Sequence, residues 1–487
     1  MYRGLLSLAL FVAAVSSAVS SQAPAPAARK PGPPAVARVT WAQAQPIVNR
    51  LEEALPESLR AIPAAERGKR WPEWIDGQRR ALESRIAQGD VDSVVNLMLF
   101  GTSFTTEPRI TARLLSDLNQ KWTAGDRSVQ EALARHYQQR AADLVTAVWA
   151  AAGTDARLQD VKRVLTARGH SLDTATGRRA AIQDLLASVA RVREEAAALA
   201  EELEAQRHAK DRTVAFAERS RVFRTRGLSA DSSVLTQFAV DRGVCALGDR
   251  GVLAARSVNR IAIVGPGLDF VDKQEGFDFY VPQSLQPFTL ADSLLQCGLA
   301  TRSALSITTI DISPRVNGHL RAAVRRATER RTTYRLVLPW NPGRVSSEAT
   351  AYWKRAGAQV GRPFAAPAPH NMVVVARGVA VSPEIVRRIQ PVDASIVSDR
   401  LDLADDRQFD LVLASNVLVY YDTFEQTLAL ASVAAMLKPG GILLSNDAVL
   451  EIPEVPLRSA GSLAVPFSDR PGDGERMVWY VKAAEKK

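Results

Sequence analysis

At 487 residues the chain is longer than one compact core sustains, so at least two domains are expected. Its 46% hydrophobic and 23% charged residues exclude a disordered or fibrous protein. The net charge is +10, but arginine is spread along the whole length with no basic block or aromatic-interleaved cluster, which argues against a nucleic-acid partner.

The chain begins with Arg3, an apolar run from Leu5 to Ala14, and small residues through Ser21. A basic start, a short apolar stretch and small residues near Ala18 or Ala23 mark residues 1–22 as a signal peptide, which predicts a secreted or periplasmic protein. A mis-assigned start would leave it cytoplasmic. The run is short for a membrane span, and no transmembrane segment beyond the signal is expected. Residues 23–39 are rich in Ala and Pro (QAPAPAARKPGPP) and read as a linker.

From 40 to 228 the pattern is helical, with Ala, Leu, Arg and Glu dominant and Gly or Pro at the breaks. Within 182–203, Ile182, Leu185, Val189, Val192, Ala196, Leu199 and Leu203 recur in steps of three and four. This is a heptad seam. It serves either one helix of an antiparallel bundle or a coiled coil that makes a homo-oligomer.

Residues 229–487 change texture. Short β-branched runs alternate with helical stretches, which predicts an α/β domain with a mostly parallel, doubly wound sheet. The expected strands are Arg260–Val264, Ser306–Ile310, Tyr334–Leu338, Met372–Val381, Ser395–Ser398, Asp410–Ala414, Gly441–Ser445 and Met477–Val481. Met372–Val381 is expected to pair antiparallel with Tyr334–Leu338 as a small extra unit. The two cysteines, Cys245 and Cys297, form no CxxC motif and are too few for a zinc site. One disulfide and two buried thiols both remain open. The five histidines form no HExxH, and no metal is expected.

Three features sit at the carboxyl ends of expected strands, where open α/β sheets place ligands. In RIAIVGPGLDF, Gly265 and Gly267 permit a tight turn with backbone close to a ligand. In SITTIDIS, Asp311 ends a strand and can accept both hydroxyls of a ribose, although Asp311 or Ser313 could equally cap the helix that follows. The third is QFDLVLASNVLVYYDTFEQTLALASVAAMLKPGGILLSND.

This third stretch resembles class I S-adenosylmethionine-dependent methyltransferases, in which FDxVxxxxVLxY precedes a helix and LKPGG precedes the fifth strand. More narrowly, SNVLVYYD is similar to the RNVLIYFD signature of CheR-type chemotaxis-receptor methyltransferases. The resemblance spans about Arg260 to Val481. It implies a Rossmann-like domain with S-adenosyl-L-methionine as cofactor. Gly265 and Gly267 would pass beneath the methionine part, and Asp311 would bind the ribose. Asp402 and Leu403 would lie near the adenine, and Asn416 and Val417 beside the cofactor, with Tyr420 and Tyr421 walling the pocket.

Three positions depart from the pattern. Ile263 replaces an acid, Asp269 the third glycine, and Ser415 the CheR-type arginine. Asp269 is a candidate for contact with the cofactor's ammonium group. The segment between Phe270 and Leu294 is longer than one helix requires and reads either as a lid or as a structural excursion. No catalytic base is identified.

The resemblance implies methyl transfer to a small-molecule or protein acceptor. A carboxylate is favoured because it is already ionised at neutral pH and needs no base. Two rivals differ in class. A non-catalytic methyltransferase fold would serve as a binding or scaffold module. A nicotinamide-dependent oxidoreductase requires a third glycine that GPGLDF lacks.

Overall fold

In the computed structural model, residues 34–484 are described, apart from 112–113, 115–117, 119–125, 127, 152, 154, 206–219, 225, 273–275 and 368–373. The signal-like residues 1–22 therefore lie outside the described residues. The end of the expected linker does not: Ala35–Arg38 form a strand, β1. Helices follow as α1 (Trp41–Arg50), α2 (Glu57–Arg60), α3 (Arg67–Phe100), α4 (Ser128–Ala150), α5 (Ala156–Ala167) and α6 (Ala175–Ala205). Alternation then sets in with α7 (Val234–Asp249), β2 (Arg260–Val264), α8 (Gln286–Gln296), β3 (Ser306–Asp311) and α9 (Pro314–Glu329). It continues with β4 (Tyr334–Trp340), α10 (Ser347–Arg355), β5 (Gly361–Phe364), β6 (Val375–Val381), α11 (Pro383–Val386) and β7 (Ile389–Asp393). The chain closes with β8 (Asp399–Asp402), β9 (Phe409–Ala414), α12 (Thr423–Met436), β10 (Leu437–Ser445), β11 (Leu457–Pro466) and β12 (Gly474–Lys482).

The main sheet has the order β11-β12-β10-β9-β2-β3-β7. β10, β9, β2, β3 and β7 are parallel to their neighbours in that row. β12 runs antiparallel to β10, and β11 antiparallel to β12. Successive strands depart in opposite directions from the β2–β9 boundary. That boundary is the switch point, where a ligand crevice forms outside the carboxyl ends of the strands.

The central strands read as unbroken apolar runs because helices cover both faces. Alternate residues enter opposite cores. Ile261, Ile263, Leu411 and Leu413 join Phe238 of α7 and Phe288 of α8. Ala262, Val264, Val412 and Ala414 join Phe424 of α12 and, from the N-terminal half, Ile47, Trp71 and Trp74. The Trp71 indole N–H donates to Val39 O at 2.8 Å, and the Trp74 ring meets Phe424 edge-on at 5.8 Å. From Pro34 onward the chain forms one compact unit.

The expected antiparallel pairing of Tyr334–Leu338 with Met372–Val381 is present from Val375 onward, Met372 lying outside the described residues. β4 and β6 are antiparallel with Leu336 opposite Val379, and β5 adds a third strand. Ser395–Ser398, expected as a strand, is a turn instead. The buried Asp399 carboxylate accepts from Ser395 N at 2.9 Å and pairs with Arg38 and Arg79, so local polar bonds override the β-branched signal of Ile396 and Val397. The strand adjoining β3 is β7, just upstream. The LKPGG segment lies inside β10 as a register irregularity between Leu437 and Ile442. Gly440 has φ +75° there, and Lys438 pairs with Asp410 at the start of β9.

On α6, Leu185 and Val189, with Ile182 and Val192 beside them, pack in one core with Val94 of α3 and Leu144 of α4. That part of the heptad seam is filled from within the chain. The side chains of Ala196, Leu199 and Leu203 lie outside the described residues. Cys245 on α7 and Cys297 after α8 form a disulfide with Cα atoms 5.4 Å apart, so the free-thiol alternative does not hold.

Candidate functional site

At the switch point lies a cavity of about 270 Å³. Its floor is the turn after β2. Gly265 has φ +64° and Gly267 φ +74°, both in the left-handed region that side chains avoid. A Cβ on Gly265 would meet Val417 Cγ2 at 2.6 Å, and one on Gly267 would meet Ala230 O at 2.7 Å. Each glycine is thus required both for its conformation and for the approach of a neighbour.

Asp311 ends β3 and faces the cavity. The helix cap that competed for this residue is Ser313, whose Oγ accepts from Val316 N. Asp311 Oδ1 accepts from Ser313 N at 2.7 Å. Enclosure pushes the carboxyl up to about 7, against the opposing pull of the Ser313 and Ile312 N–H groups.

Asn416 follows β9 with φ +57°, a conformation Asn tolerates better than most residues. Its N–H donates to Asn446 Oδ1 at 2.9 Å, and the two side chains are also bonded. Tyr420 and Tyr421 stand behind it along the cavity. The aspartate that ends SNVLVYYD serves the fold, since Asp422 caps α12 in a reciprocal box with Glu425.

The N-terminal half builds the opposite wall. Ile86 and Asp90 of α3 line the cavity, as do residues 228–233, which precede α7. Arg85 holds these parts together, donating to Arg226 O, Phe223 O and Tyr420 O at 3.0–3.1 Å. Leu228 N donates back to Arg85 O. Asp90 pairs with Arg315 at 2.9 Å, and burial raises its carboxyl above the ordinary range.

Of the residues singled out in the sequence, Gly265, Gly267, Asp311, Asn416, Val417, Tyr420 and Tyr421 meet around one cavity. Asp269, Asp402 and Leu403 are not among its lining residues. Asp269 is buried and accepts from Ser232 N at 2.6 Å, so it fixes the 228–233 wall from behind. Asp402 is exposed and pairs with Ala35 across β8 and β1, and Leu403 packs against the core beneath. Ile263 is buried in the core among α7 and α8, so the acid expected there is replaced without removing a group from the cavity.

Sequence reasoning missed Ile86, Asp90, Asp272 and Gln286, all cavity residues. The first two sit on a helix 170 or more positions upstream and carry no motif. The described residues of the Phe270–Leu294 segment are anchored to the helical half, and two of them, Asp272 and Gln286, reach the cavity. The buried Arg157 guanidinium donates to Phe270 O at 2.6 Å and also to Asp278 O and Tyr280 O. Asp278 in turn accepts from Ser103 N at 3.1 Å.

The described lining residues include no His, Lys, Arg or Cys. Two buried polar oxygens in the lining, the Gln286 Oε1 acceptor and the Ser415 hydroxyl, have no hydrogen-bond partner among the described residues. No group of residues suited to a metal ion occurs among the described residues. No described helix is long and apolar enough to cross a membrane.

No protein-family model matches the chain, and no curated protein matches it. Solved structures do. The N-methyltransferase NodS from Bradyrhizobium japonicum WM9, with S-adenosyl-L-homocysteine, is 13% identical, with a TM-score of 0.24, 51% of this chain and 86% of that chain covered. The magnesium protoporphyrin IX methyltransferase of Synechocystis PCC 6803 is 13% identical, with a TM-score of 0.24, 57% and 89% covered. An O-methyltransferase family protein from Burkholderia thailandensis is 13% identical, with a TM-score of 0.25, 60% and 69% covered. The likeness is distant, and what the site can do rests on its own geometry.

Proposed function

We propose that this protein binds S-adenosyl-L-methionine at the β2–β9 switch point and transfers its methyl group. The observation that carries this reading is the convergence of two positive-φ glycines, a strand-end carboxylate and the Asn416-Val417 turn on one cavity. The residues fit the group. Gly265 and Gly267 leave backbone open where a Cβ would intrude, Asp311 offers two acceptor oxygens to ribose hydroxyls, and the buried Gln286 Oε1 and Ser415 Oγ have no hydrogen-bond partner among the described residues. When bound, the cofactor supplies a methyl group already activated by its sulfonium. What remains for the chain is alignment and exclusion of water, neither of which needs a His or Cys base.

The departures at Ile263 and Asp269 lend no weight to a scaffold role, because neither is among the described lining residues of the cavity. Isothermal calorimetry of the purified full-length chain with S-adenosyl-L-methionine tests the reading. Saturable one-to-one binding is expected, and absence of binding refutes it.

The carboxylate acceptor expected from the sequence gains no support from the lining. Asp90, Asp231, Asp272 and Asp311 line the cavity, Asp90 paired with Arg315, and none of them is a group that would draw in an anionic acceptor.

We also propose that residues 1–22 direct export. The Cys245–Cys297 bond supports this, because structural disulfides persist in oxidising compartments. Intact mass of the native protein is expected to lack the leader and two thiol hydrogens.

A further inference from the structure

We propose that Gln237 is a positioning residue for the cofactor: it fixes Ser232 against the glycine turn and ties that wall of the cavity to α8. This rests on the cofactor assignment above. Gln237 itself is not among the described lining residues.

Both ends of its carboxamide are used. Nε2 donates to Ser232 Oγ at 2.9 Å, and Oε1 accepts from Thr289 Oγ1 at 2.7 Å. Ser232 lines the cavity and is gripped from a second side, its N–H donating to Asp269 Oδ1 at 2.6 Å. It stands against the glycine turn, since a Cβ on Gly267 would lie 3.7 Å from Ser232 Cβ. Thr289 belongs to α8, whose first residue, Gln286, also lines the cavity. One buried side chain thus spans two walls that come from different parts of the chain.

This contact is the first rung of a ladder. Gln237 meets Thr289, Asp241 accepts from Ser293 Oγ at 2.8 Å, and Cys245 is bonded to Cys297. Each pair is 52 positions apart, so α7 and α8 run parallel in one fixed register. The rungs recur at the spacing that keeps side chains on one helix face. Gln237, Asp241, Thr289 and Ser293 are buried, while Phe238 and Phe288 beside them supply apolar packing. A buried side-chain hydrogen bond adds little net stability over an apolar pair of the same shape. What it adds is direction. Apolar surfaces tolerate a helix that slides or turns, whereas a buried polar group that loses its partner does not. The ladder therefore sets where the cavity ends of α7 and α8 stand. The disulfide closes it about 14 Å along α7 from Thr236, which lines the cavity.

The test uses the purified full-length chain, calorimetry with S-adenosyl-L-methionine, and thermal unfolding of each variant. Gln237→Met removes both bonds at similar volume. Thr289→Val removes only the bond between the helices, and Thr289→Ser keeps it. Cys245→Ser together with Cys297→Ser opens the far end. Gln237→Met is expected to bind about tenfold or more weakly and Thr289→Val about threefold or more weakly, while Thr289→Ser stays within about twofold of the wild type. The cysteine variant is expected to melt lowest, because the unfolded chain loses its cross-link, yet to keep affinity within about threefold.

A merely structural role requires the opposite order. Affinity that follows melting temperature across the variants overturns the proposal. Unchanged affinity in Gln237→Met and Thr289→Val overturns it as well and leaves the cofactor assignment standing. If Gln237→Met does not fold, the Thr289→Val and Thr289→Ser pair decides. Absence of binding by the wild type overturns the cofactor assignment and this proposal with it.

Discussion

Val417 Cγ2 fills the space that a Cβ on Gly265 would need, 2.6 Å from where that atom would lie. The two residues lie in the turns that follow the neighbouring parallel strands β2 and β9, at the point where the sheet winding reverses. Gly265→Ala is therefore expected to cost about 1–3 kcal/mol through its positive φ alone. The clash adds to this. Val417→Ala should recover the steric part and leave the conformational part, so the double variant falls between the wild type and Gly265→Ala. Urea unfolding of the four proteins measures the coupling, and strict additivity would contradict it.

If Asp311 takes the ribose as proposed, it sets the pH dependence of cofactor binding. Its carboxyl is pushed up to about 7 because it is enclosed by protein, although it faces the cavity. The ribose hydroxyls need the ionised form. Affinity is thus expected to rise with pH up to about 7 and then level off, falling by up to tenfold per unit below it. The sign for the free protein is opposite. A folded carboxyl above its unfolded value binds more protons than the unfolded chain between about 4 and 7, so Asp311 lowers stability as pH rises through that window. Asp311→Asn should flatten both profiles, read by calorimetry and thermal unfolding at pH 5, 6, 7 and 8.

Arg157 holds the Phe270–Tyr280 excursion to the helical half through three backbone carbonyls. Burial of the charge disfavours the guanidinium and lowers its proton affinity, so its stability contribution lies in these bonds. Arg157→Ala strands buried acceptors, each worth about 1–3 kcal/mol. A loss of at least about 3 kcal/mol in chemical unfolding is expected. Arg157→Lys should not rescue it, because an ammonium cannot spread over three carbonyls as a planar fork does.

How far the sequence disclosed this site follows from where the information lies. Gly265, Asp311 and Asn416 each lie within two residues of a strand's carboxyl end, and the apolar runs before them were readable as buried parallel strands. The β4–β6 pair was legible for the same reason. Asp402 was misplaced because strand order alone assigned it. Two short strands, β7 and β8, stand where one was expected, and β8 turns away to pair with β1. Asp90 and Ile86 were not legible, since their helical period reads as ordinary amphipathic surface until α3 is seen against the sheet. Asp269 was misread for a related reason: position in a motif did not reveal that Ser232 N–H would lie behind it.

Gly89 gives the sharpest test of α3 as a wall of the site. A Cβ there would lie 1.9 Å from Leu228 O, and one on Gly227 would lie 2.5 Å from Gly89 N. Helix and loop thus meet backbone to backbone, one residue before Asp90 and at the start of the 228–233 wall. In an open helix position, Gly→Ala stabilises by about 0.5–1 kcal/mol through chain entropy. At Gly89 the added methyl cannot be accommodated unless α3 and Leu228 separate. Gly89→Ala is therefore expected to lower the melting temperature, to weaken the Leu228 N to Arg85 O bond, and to reduce cofactor affinity by about tenfold or more as both walls shift. Gly77→Ala on the same helix is the control. Its Cβ would have only Arg80 Nη2 near, at 4.0 Å, so the variant should be neutral or slightly stabilising. If thermal unfolding and calorimetry show the two variants behaving alike, α3 does not form the wall described. If only Gly89→Ala loses affinity, the helical half is part of the binding site.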